Sequence, residues 1–525
     1  MVPPLLRYLL LLLSVVLSTA AADAATPQGC RRGTPRALSG VQLHSRRAAV
    51  QPQPRQVGGD FYHGDRRQLV VLASFSDRTF QGDEAATMAQ WDKIFNADNL
   101  SEAPFHGSVH DYFMAQSYGT FRLTFDLQYV ALSEAHAKYR STSADDENSQ
   151  FLVQDVVSVL QTRNIDWSLY DWNGDGYVNQ LLIIFAGKGS SYGYFGGGYD
   201  AIWPHQYWMS DHVVPGSSPE THCDPLAVGS GTNSRIVDCY CALQELYTSG
   251  GYDSFGTICH EYTHCFGFPD FYVGTTSYLY TWELMDYGNN NGGGYCPPCY
   301  SAHERWLMGW LTPHELTEAA TVTSMPSLSD QPEAYLISND GWRDEFYMVE
   351  NRQQKGWDQY LPSSGLVVFH IDYDATVWYG VTNSPNSTTD KRYTIVPANN
   401  LSSASDSNIK GWPYPYSDNN ALTNTSSPAA RLNHANADGT KLLSKPLTAM
   451  SVADGLASFD FMGGTSGIQP ILAPSDLASG GKLYDLSGRL VTTSPVTDEH
   501  SASGCPAGIY IIRYANGTSR KVVIK

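Results

Sequence analysis

One segment, residues 253–270, constrains the fold of this 525-residue chain more than any other. It contains His260 and His264, and in a helix their spacing puts both imidazoles on one face, where they can reach a single metal ion. Asp253 or Ser254 can cap the start of such a helix. The spacing therefore predicts a helix that carries a pair of zinc ligands.

The residues around these histidines predict how the site is completed. Gly267 favours a left-handed cap that ends the helix near residue 266, and Pro269 prevents the helix from continuing. Asp270 then returns on a loop as the third zinc ligand, and one coordination position stays open for water. Glu261 lies beside the ligands and is expected to accept a proton from that water as the catalytic base.

A second carboxylate competes with Asp270 for the third ligand position. Glu283 follows His264 by 19 residues, a spacing used by zinc peptidases in which a downstream helix supplies a glutamate. The surrounding sequence is rich in Gly, Asn, Ser and Thr and does not favour a helix, so we prefer Asp270. Residues 284–288 instead predict a tight turn whose Met285 lies beneath the metal.

A loop at residues 171–179 predicts a second metal site. Its oxygen-bearing groups occupy positions of a calcium-binding loop, and Gly176 permits the tight turn at the sixth position. The twelfth position is Leu182, which excludes a complete EF-hand. We expect a partial, stabilising Ca²⁺ site, with an Asx-rich turn as the alternative. The calcium candidates are Asp171, Asn173, Asp175, Tyr177 and Asn179.

Several stretches resemble one known protein family. They are HEYTHCFGFPDFY at 260–272, WELMDYG at 282–288, NNNGGGYCPPCYSAHERWLMGWLTP at 289–313, and shorter matches at 347–352, 356–358 and 365–373. Together they look like the immune-inhibitor-A family of metzincin-like zinc metallopeptidases, over about residues 66–400. The resemblance implies a zinc endopeptidase that cuts proteins, in which Glu261 polarises the attacking water, and it supports structural calcium. Tyr287 resembles a tyrosine that stabilises the oxyanion in some metzincins, with packing as the alternative.

The fold class that we predict is α+β. The catalytic domain at 66–315 is expected to be metzincin-like, with strands at 67–75, 121–129 and 180–185 and helices at 88–95, 109–118 and 151–161. Strand patterns at 335–338, 345–350, 366–372 and 393–396 then predict a β-sandwich-like domain at 316–465. A small β domain is expected at 468–525.

The N-terminal sequence predicts export. An apolar run from residue 8 to 17 precedes an A-x-A cleavage site, so residues 1–24 read as a signal peptide. Residues 25–65 read as a basic leader or propeptide: from 25 to 67 there are eight arginines and two aspartates, whereas the whole chain carries a net charge of −19. This leader is expected to lie over an acidic cleft, with Cys30 able to reach the zinc, or else to be a flexible segment that is simply removed.

The C-terminal sequence predicts the route of export. The motifs LYDLSGR at 483–489 and GIYIIRY at 508–514 resemble the C-terminal sorting domain of the type nine secretion system. The resemblance implies that the secretion machinery is a partner and that the protein is released or attached to the cell surface. A β domain used for binding is the alternative.

Composition excludes some functions and leaves one rival. The negative net charge argues against a nucleic-acid partner, and no later stretch is apolar enough for an integral membrane segment. Nine cysteines allow at most four disulfides, and Cys296 and Cys299 are expected to form a structural disulfide or remain inert thiols. The substrates would be proteins or peptides. A catalytically inactive adhesin or glycan-binding protein on a peptidase scaffold is the alternative function.

Overall fold

The structure is a computed structural model, and it describes residues 62–140, 148–190, 202–213, 222–246, 251–252, 255–378, 385–464, 481–485, 489–496, 505–513 and 519–524. The predicted signal peptide, nearly all of the basic leader with Cys30, and the predicted helix caps Asp253 and Ser254 lie outside these residues. Within the described part of the chain, no helix is long and apolar enough to cross a membrane.

The described residues form few helices and many strands. The helices are α1 (Glu84–Asn96), α2 (Val109–Gln116), α3 (Ser149–Leu160), α4 (Phe255–His264), α5 (Ala302–Leu307) and α6 (Ala375–Trp378). The first strands are β1 (Gly64–Ser74), β2 (Phe121–Ala131), β3 (Leu181–Lys188), β4 (His205–Trp208), β5 (Leu226–Val228), β6 (Arg235–Val237) and β7 (Cys239–Leu246). The later strands are β8 (His314–Glu315), β9 (Ala320–Met325), β10 (Tyr335–Ser338), β11 (Glu345–Arg352), β12 (Gly365–Asp372), β13 (Tyr393–Ile395), β14 (Leu447–Ala453), β15 (Leu456–Phe461), β16 (Gly481–Asp485), β17 (Leu490–Val496), β18 (Gly508–Arg513) and β19 (Ser519–Ile524).

A mostly parallel sheet of order β2-β1-β3-β7-β4 underlies the candidate metal site, with β4 as its antiparallel edge. Side chains of a strand alternate between the two faces. Accordingly, Val70 and Leu72 pack in one core with α1, α2 and α4, while Leu69 and Val71 pack in another with α3. Because both faces are covered, the middle of β1 is a continuous apolar run, as expected for a buried parallel strand.

Local capping explains where the helices in front of this sheet begin. Asp83 accepts a hydrogen bond from the backbone N–H of Ala86 at the start of α1. Ser108 and Asp111 form a reciprocal capping box at the start of α2. Each cap satisfies backbone donors that have no partner within the helix. The predicted helices at 88–95, 109–118 and 151–161 are confirmed to within a few residues.

Two further sheets follow, of order β13-β12-β11-β10-β8 and β14-β15-β9. Val349 and Val368 of the first of these sheets pack against Phe459 of the second. The opposite face of the first sheet, with Met348 and Phe369, belongs to the same core as α4. Alternate residues of β11 and β12 thus belong to two different hydrophobic cores. The predicted boundary between the catalytic domain and the β-sandwich-like domain at residue 315 stays a prediction.

The C-terminal residues form a separate four-stranded antiparallel sheet of order β17-β16-β18-β19. It has a small core of its own that includes Leu483, Tyr510 and Ile512. The chain as a whole is a mixture of α and β structure with several sheets and few helices, which agrees with the predicted α+β class. The assignment of the last sheet to secretion stays a prediction.

Candidate metal centre

Helix α4 carries both predicted histidine ligands. His260 and His264 are buried, and their ring centroids are 4.9 Å apart. The opposite side of α4 packs into the core through Ile258 and Tyr262. Near the start of the helix, Gly256 lies so close to the backbone of Asn289 that an added Cβ would be 1.9 Å from its carbonyl oxygen. Glycine there lets the loop after the predicted Met-turn pack directly on the helix.

Backbone carbonyls fix the orientation of both imidazoles. Nδ1 of His260 lies 2.8 Å from the carbonyl oxygen of Leu284, and Nδ1 of His264 lies 2.7 Å from that of Phe268. A carbonyl oxygen can only accept a hydrogen bond, so each Nδ1 carries the proton in the neutral ring. The lone pair of each imidazole is therefore on Nε2, the arrangement found when a histidine binds a metal.

Asp270 completes a convergent group of three. Its Oδ1 lies 3.2 Å from Nε2 of His260 and 3.3 Å from Nε2 of His264. This buried oxygen accepts no hydrogen bond from the described residues. In the described part of the chain, only these three residues bring three His, Cys or acidic ligand atoms within 4.8 Å of one another. Three such atoms can be bridged by a proton on one imidazole or by a metal ion, and two histidines with one carboxylate are a donor set that suits Zn²⁺.

Neighbouring charges shift the pKa values of Asp270 and His260 in opposite directions. Burial alone would raise the pKa of Asp270, but the adjacent imidazoles of His264 and His260 outweigh it, and the pKa lies below its ordinary value. Burial alone would lower the pKa of His260, but Asp270 and the nearby Glu261 outweigh it and raise the pKa. A positive charge at this position is thus favoured by the surrounding carboxylates.

The end of α4 and the following loop bring Asp270 to the histidines. Gly267 has a φ of +93°, and its N–H donates to the carbonyl of His264 over 2.8 Å. This left-handed cap was predicted, although the tight last turn ends α4 at residue 264 rather than near 266. The N–H of Phe271 donates to the carbonyl of Met285 over 2.8 Å. The ligand loop is therefore joined directly to the turn of the buried Met285.

The rival ligand Glu283 does not belong to the convergent group. Its side chain is fully buried beside Glu304, and neither of its oxygens accepts a hydrogen bond from the described residues. Burial and the neighbouring carboxylate raise the pKa of Glu283 well above its ordinary value. Burial likewise raises the pKa of Glu304 to about 7. The geometry thus favours Asp270 over Glu283, as we preferred from the sequence.

The two remaining catalytic candidates lie near the ligands in different ways. Glu261 is partly exposed on α4, one residue after His260. Tyr287 is 37% exposed, and its N–H donates to the carbonyl of Tyr280 over 3.1 Å. Its ring centroid lies 6.2 Å from that of Tyr272. The ring also lies 5.7 Å from that of Tyr280, and both predicted roles of Tyr287, oxyanion donor and packing, stay predictions.

Sequence reasoning missed Tyr272. Its ring lies nearly parallel to that of His260, at 24° with 6.5 Å between centroids, and its hydroxyl lies within hydrogen-bonding reach of the Asp270 carboxylate. Burial, followed by the charge of Asp270, raises the pKa of this phenol well above its ordinary value, so it remains a proton donor. The available signal was its position in the motif, two residues after the third ligand.

The predicted calcium loop has a different geometry. Gly174 and Gly176 have φ values of +73° and +88°, as a tight turn requires. The buried Asp171 carboxylate already accepts hydrogen bonds from the N–H groups of Asp175 and Gly176, each 3.1 Å long. Nε of Arg235 lies 2.6 Å from its Oδ2. A guanidinium thus already pairs with the Asp171 carboxylate.

The other oxygens of this loop are also engaged. Oδ1 of Asn179 accepts from the N–H of Trp172 over 2.6 Å, and Oδ1 of Asp175 accepts from the N–H of Tyr177 over 2.9 Å. The side-chain amide of Asn173 donates to Asp175 over 3.1 Å. These contacts are those of an Asx-rich turn, the alternative to calcium. The structure therefore does not support Ca²⁺ at this loop.

The cysteines divide into two groups. Cys223 forms a disulfide whose partner lies outside the described residues. The others in the described part of the chain are thiols: Cys239, Cys241, Cys259, Cys265, Cys296, Cys299 and Cys505. Burial raises the pKa of Cys296 to about 11 and that of Cys299 to about 12, which suits the predicted inert thiols rather than a redox pair.

Comparison with known proteins places this site in context. The chain is 30% identical over 182 residues to the pre-pro-metalloprotease PrtV of Vibrio cholerae, an alignment that covers 30% of this chain and 18% of PrtV. It is 25% identical over 287 residues to Immune inhibitor A of Bacillus thuringiensis subsp. alesti, covering 46% of this chain and 40% of that protein. The chain thus aligns with less than half the length of either relative. Residues 87–305, which include the convergent histidines and aspartate, match the family model of the immune inhibitor A peptidase M6 catalytic domain.

Proposed function

We propose that this chain is a zinc-dependent, metzincin-like endopeptidase that hydrolyses peptide bonds of extracellular proteins. The observation that carries the proposal is the convergence of Nε2 of His260, Nε2 of His264 and Oδ1 of Asp270, three acceptor atoms within 4.8 Å of one another. The match of the surrounding residues to a metallopeptidase catalytic domain supports the same reaction class.

We assign each residue of the site a separate role in hydrolysis. His260, His264 and Asp270 would hold Zn²⁺, which supplies Lewis-acid chemistry when bound. Glu261 accepts the proton of the water that attacks the peptide carbonyl, and it then delivers that proton to the nitrogen of the leaving amine. Glu261 thereby returns to its carboxylate form, and its partly exposed position keeps it accessible to the next water.

Two tyrosines assist in this proposal. Tyr287, exposed beside the ligand loop, donates its phenolic hydrogen to the oxyanion that forms as the carbonyl is attacked. Tyr272 acts indirectly, because its hydroxyl bonds to the Asp270 carboxylate and fixes the direction in which that ligand points. Tyr287 is therefore a catalytic residue, and Tyr272 is a positioning residue.

We further propose a domain organisation and a location. Residues 66–315 form the catalytic domain, 316–465 a β-sandwich-like domain, and 468–525 a sorting domain that engages the type nine secretion machinery. Residues 1–24 form a signal peptide and residues 25–65 a basic leader or propeptide, in keeping with the name of the relative PrtV, a pre-pro-metalloprotease. The mature protein would be secreted or attached to the cell surface.

The test is casein cleavage by the purified, zinc-loaded protein, beside a Glu261→Gln variant. Cleavage should stop with phenanthroline and return with zinc. The variant should keep its zinc but lose a factor of roughly 10² to 10⁴ in kcat/KM, the usual contribution of a general base. Zinc-loaded wild-type protein that cuts neither casein nor a peptide library would contradict the proposal and favour the adhesin alternative.

A further inference from the structure

Three thiols lie together behind the metal helix. Cys239 and Cys241 are two positions apart on β7, so both point to the same face of the sheet. Cys265 follows α4 directly, one residue after His264. Its Sγ lies 3.4 Å from Sγ of Cys241 and 3.8 Å from Sγ of Cys239. All three side chains are buried, with at most 5% of each residue exposed.

These distances are short enough for a covalent bond after a small movement. A disulfide requires its sulfurs to lie about 2.0 Å apart and its Cα atoms to be near one another. The Sγ atoms of Cys265 and Cys241 are already in van der Waals contact, and a change in side-chain torsion closes the remaining gap. Cys259 is also buried on α4 but shows no such sulfur contact among the described residues. Of Cys259 and Cys265, only Cys265 therefore lies close to the sulfurs of β7.

The expected surroundings of the protein favour oxidation of thiols. Cys223 already forms a disulfide in the same part of the chain. The export that forms part of the proposed function would bring the protein into an oxidising compartment, where disulfides form and persist. The present inference rests on that export, but it does not rest on peptidase activity.

We propose that Cys265 and Cys241 form a disulfide in the exported protein. The two thiols lose two protons and two electrons, and a small-molecule or protein disulfide accepts both and is reduced to two thiols. Cys241 is the preferred partner because its sulfur is nearer, and Cys239 remains a thiol. The bond would join β7 to the chain immediately after the last histidine ligand.

The timing of this reaction follows from burial. Both sulfurs are buried in the folded protein, so an attacking thiol or disulfide has little access to them there. Thiol-disulfide exchange depends on access, and in the folded protein it is therefore slow. The bond therefore forms during folding, before β7 and α4 close over the sulfurs. Once formed, it is protected from reductants until the protein unfolds.

The functional consequence concerns the metal helix. The two cysteines are 24 positions apart, and the loop between them contains α4 with both histidine ligands. Closing this loop restricts the unfolded chain and so stabilises the folded state. A secreted protease exposed to heat and to other proteases would keep its ligands assembled for longer.

Mass spectrometry of exported protein, alkylated under denaturing conditions without reductant, tests the bond directly. Cleavage after glutamate at 245, 261 and 283 gives three peptides that separate Cys239 and Cys241 from Cys259 and from Cys265. We expect peptide 262–283 to be linked to peptide 221–245, which also carries the Cys223 disulfide. The link should persist in a Cys239→Ser variant and be absent from a Cys241→Ser variant.

Two outcomes would overturn the proposal. One is alkylated Cys265 in the unreduced wild-type protein, and the other is a link that survives in Cys241→Ser but disappears in Cys239→Ser. Thermal unfolding gives a second measurement: reductant should lower the Tm of wild-type protein and of Cys259→Ala by roughly 5 °C more than that of Cys265→Ala. An equal drop in all three would also count against the bond. Because both measurements read mass or stability, a failed peptidase assay leaves them unaffected.

Discussion

In two regions of this chain the spacing of the side chains predicts a metal site. In the folded structure the carboxylates of these two regions have different partners. Around α4, three acceptor atoms from His260, His264 and Asp270 converge, and Oδ1 of Asp270 accepts no hydrogen bond from the described residues. In the loop at 171–179, the Asp171 carboxylate accepts two backbone N–H groups and contacts the guanidinium of Arg235. The first carboxylate faces two imidazoles, whereas the second is already paired with a permanent cation of the protein.

The difference shows that the spacing of ligands in the sequence is not enough to predict a metal site, because the charge of the neighbouring side chains also matters. A buried carboxylate must be neutralised, because an isolated charge in the protein interior costs several kcal/mol. Near α4 we propose that a metal ion takes that role, whereas in the loop Arg235 fills it. The buried pair of Glu283 and Glu304 is a third solution, in which a retained proton replaces the cation, as the raised pKa values of both groups indicate.

The largest expected effect separates the two regions by zinc content. Asp270→Ala should reduce bound zinc from about one ion per chain to near zero and abolish peptidase activity, because two histidines alone make an incomplete site. Asp171→Ala should keep its zinc, since that carboxylate is not among the ligands. Elemental analysis of the purified variants measures both. Glu283→Gln is the matched control, and loss of zinc there with retention in Asp270→Ala would reverse the ligand assignment.

Replacing Arg235, the cation beside Asp171, should convert the loop at 171–179 into a calcium site. Arg235→Met keeps much of the side-chain volume but leaves the buried Asp171 unpaired, which should destabilise the protein by about 3 kcal/mol. Millimolar Ca²⁺ should restore several degrees of Tm in this variant. Wild-type Tm should be the same in calcium and in chelator, as measured by thermal unfolding. A wild-type Tm that falls in chelator would mean that calcium binds despite Arg235.

Because the buried carboxyl pair Glu283 and Glu304 retains a proton, the free energy of unfolding should decrease as the pH rises. Burial raises the pKa of Glu304 from 4.5 to about 7, so its contribution to stability is fully present below pH 4.5 and is lost as the pH rises toward 7. Glu304→Gln keeps an oxygen for the cap at Ser301 and removes the ionisation. The Tm of the variant relative to wild type should therefore rise by several degrees between pH 4.5 and pH 8, a change of about 3 kcal/mol. Parallel Tm curves across this range would show that the pair does not retain its proton.

The smallest expected effects distinguish the two tyrosines of the α4 region. Tyr272→Phe removes the hydrogen bond to Asp270 and should weaken zinc binding about tenfold, as loss of a hydrogen bond to a metal ligand usually does. Tyr287→Phe should leave zinc affinity unchanged and lower kcat by about tenfold. Competition with a chelator measures the first, and steady-state kinetics the second. Equal zinc affinity in both variants would remove the positioning role of Tyr272.

Much of the local structure followed from the sequence. The apolar run at 67–75 predicted β1, and the helical periodicities predicted α1, α2 and α3 to within a few residues. The β patterns after residue 313 predicted β10 to β13. The order of the strands did not follow, and neither did the packing of alternate residues of β11 and β12 into two cores. Periodicity reports which side of an element is apolar, but it does not say which distant element will cover that side.

The sequence by itself determined the parts of the site that depend on neighbours in the chain. The four-residue spacing placed His260 and His264 on one face of α4, and Gly267 supplied the left-handed cap that turned the chain. Only the tertiary structure placed Asp270, and not Glu283, beside the two histidines, and only it brought Arg235 to the carboxylate of Asp171. Helix geometry is set by adjacent residues, whereas the partner that neutralises a buried charge comes from a distant segment that only folding brings near.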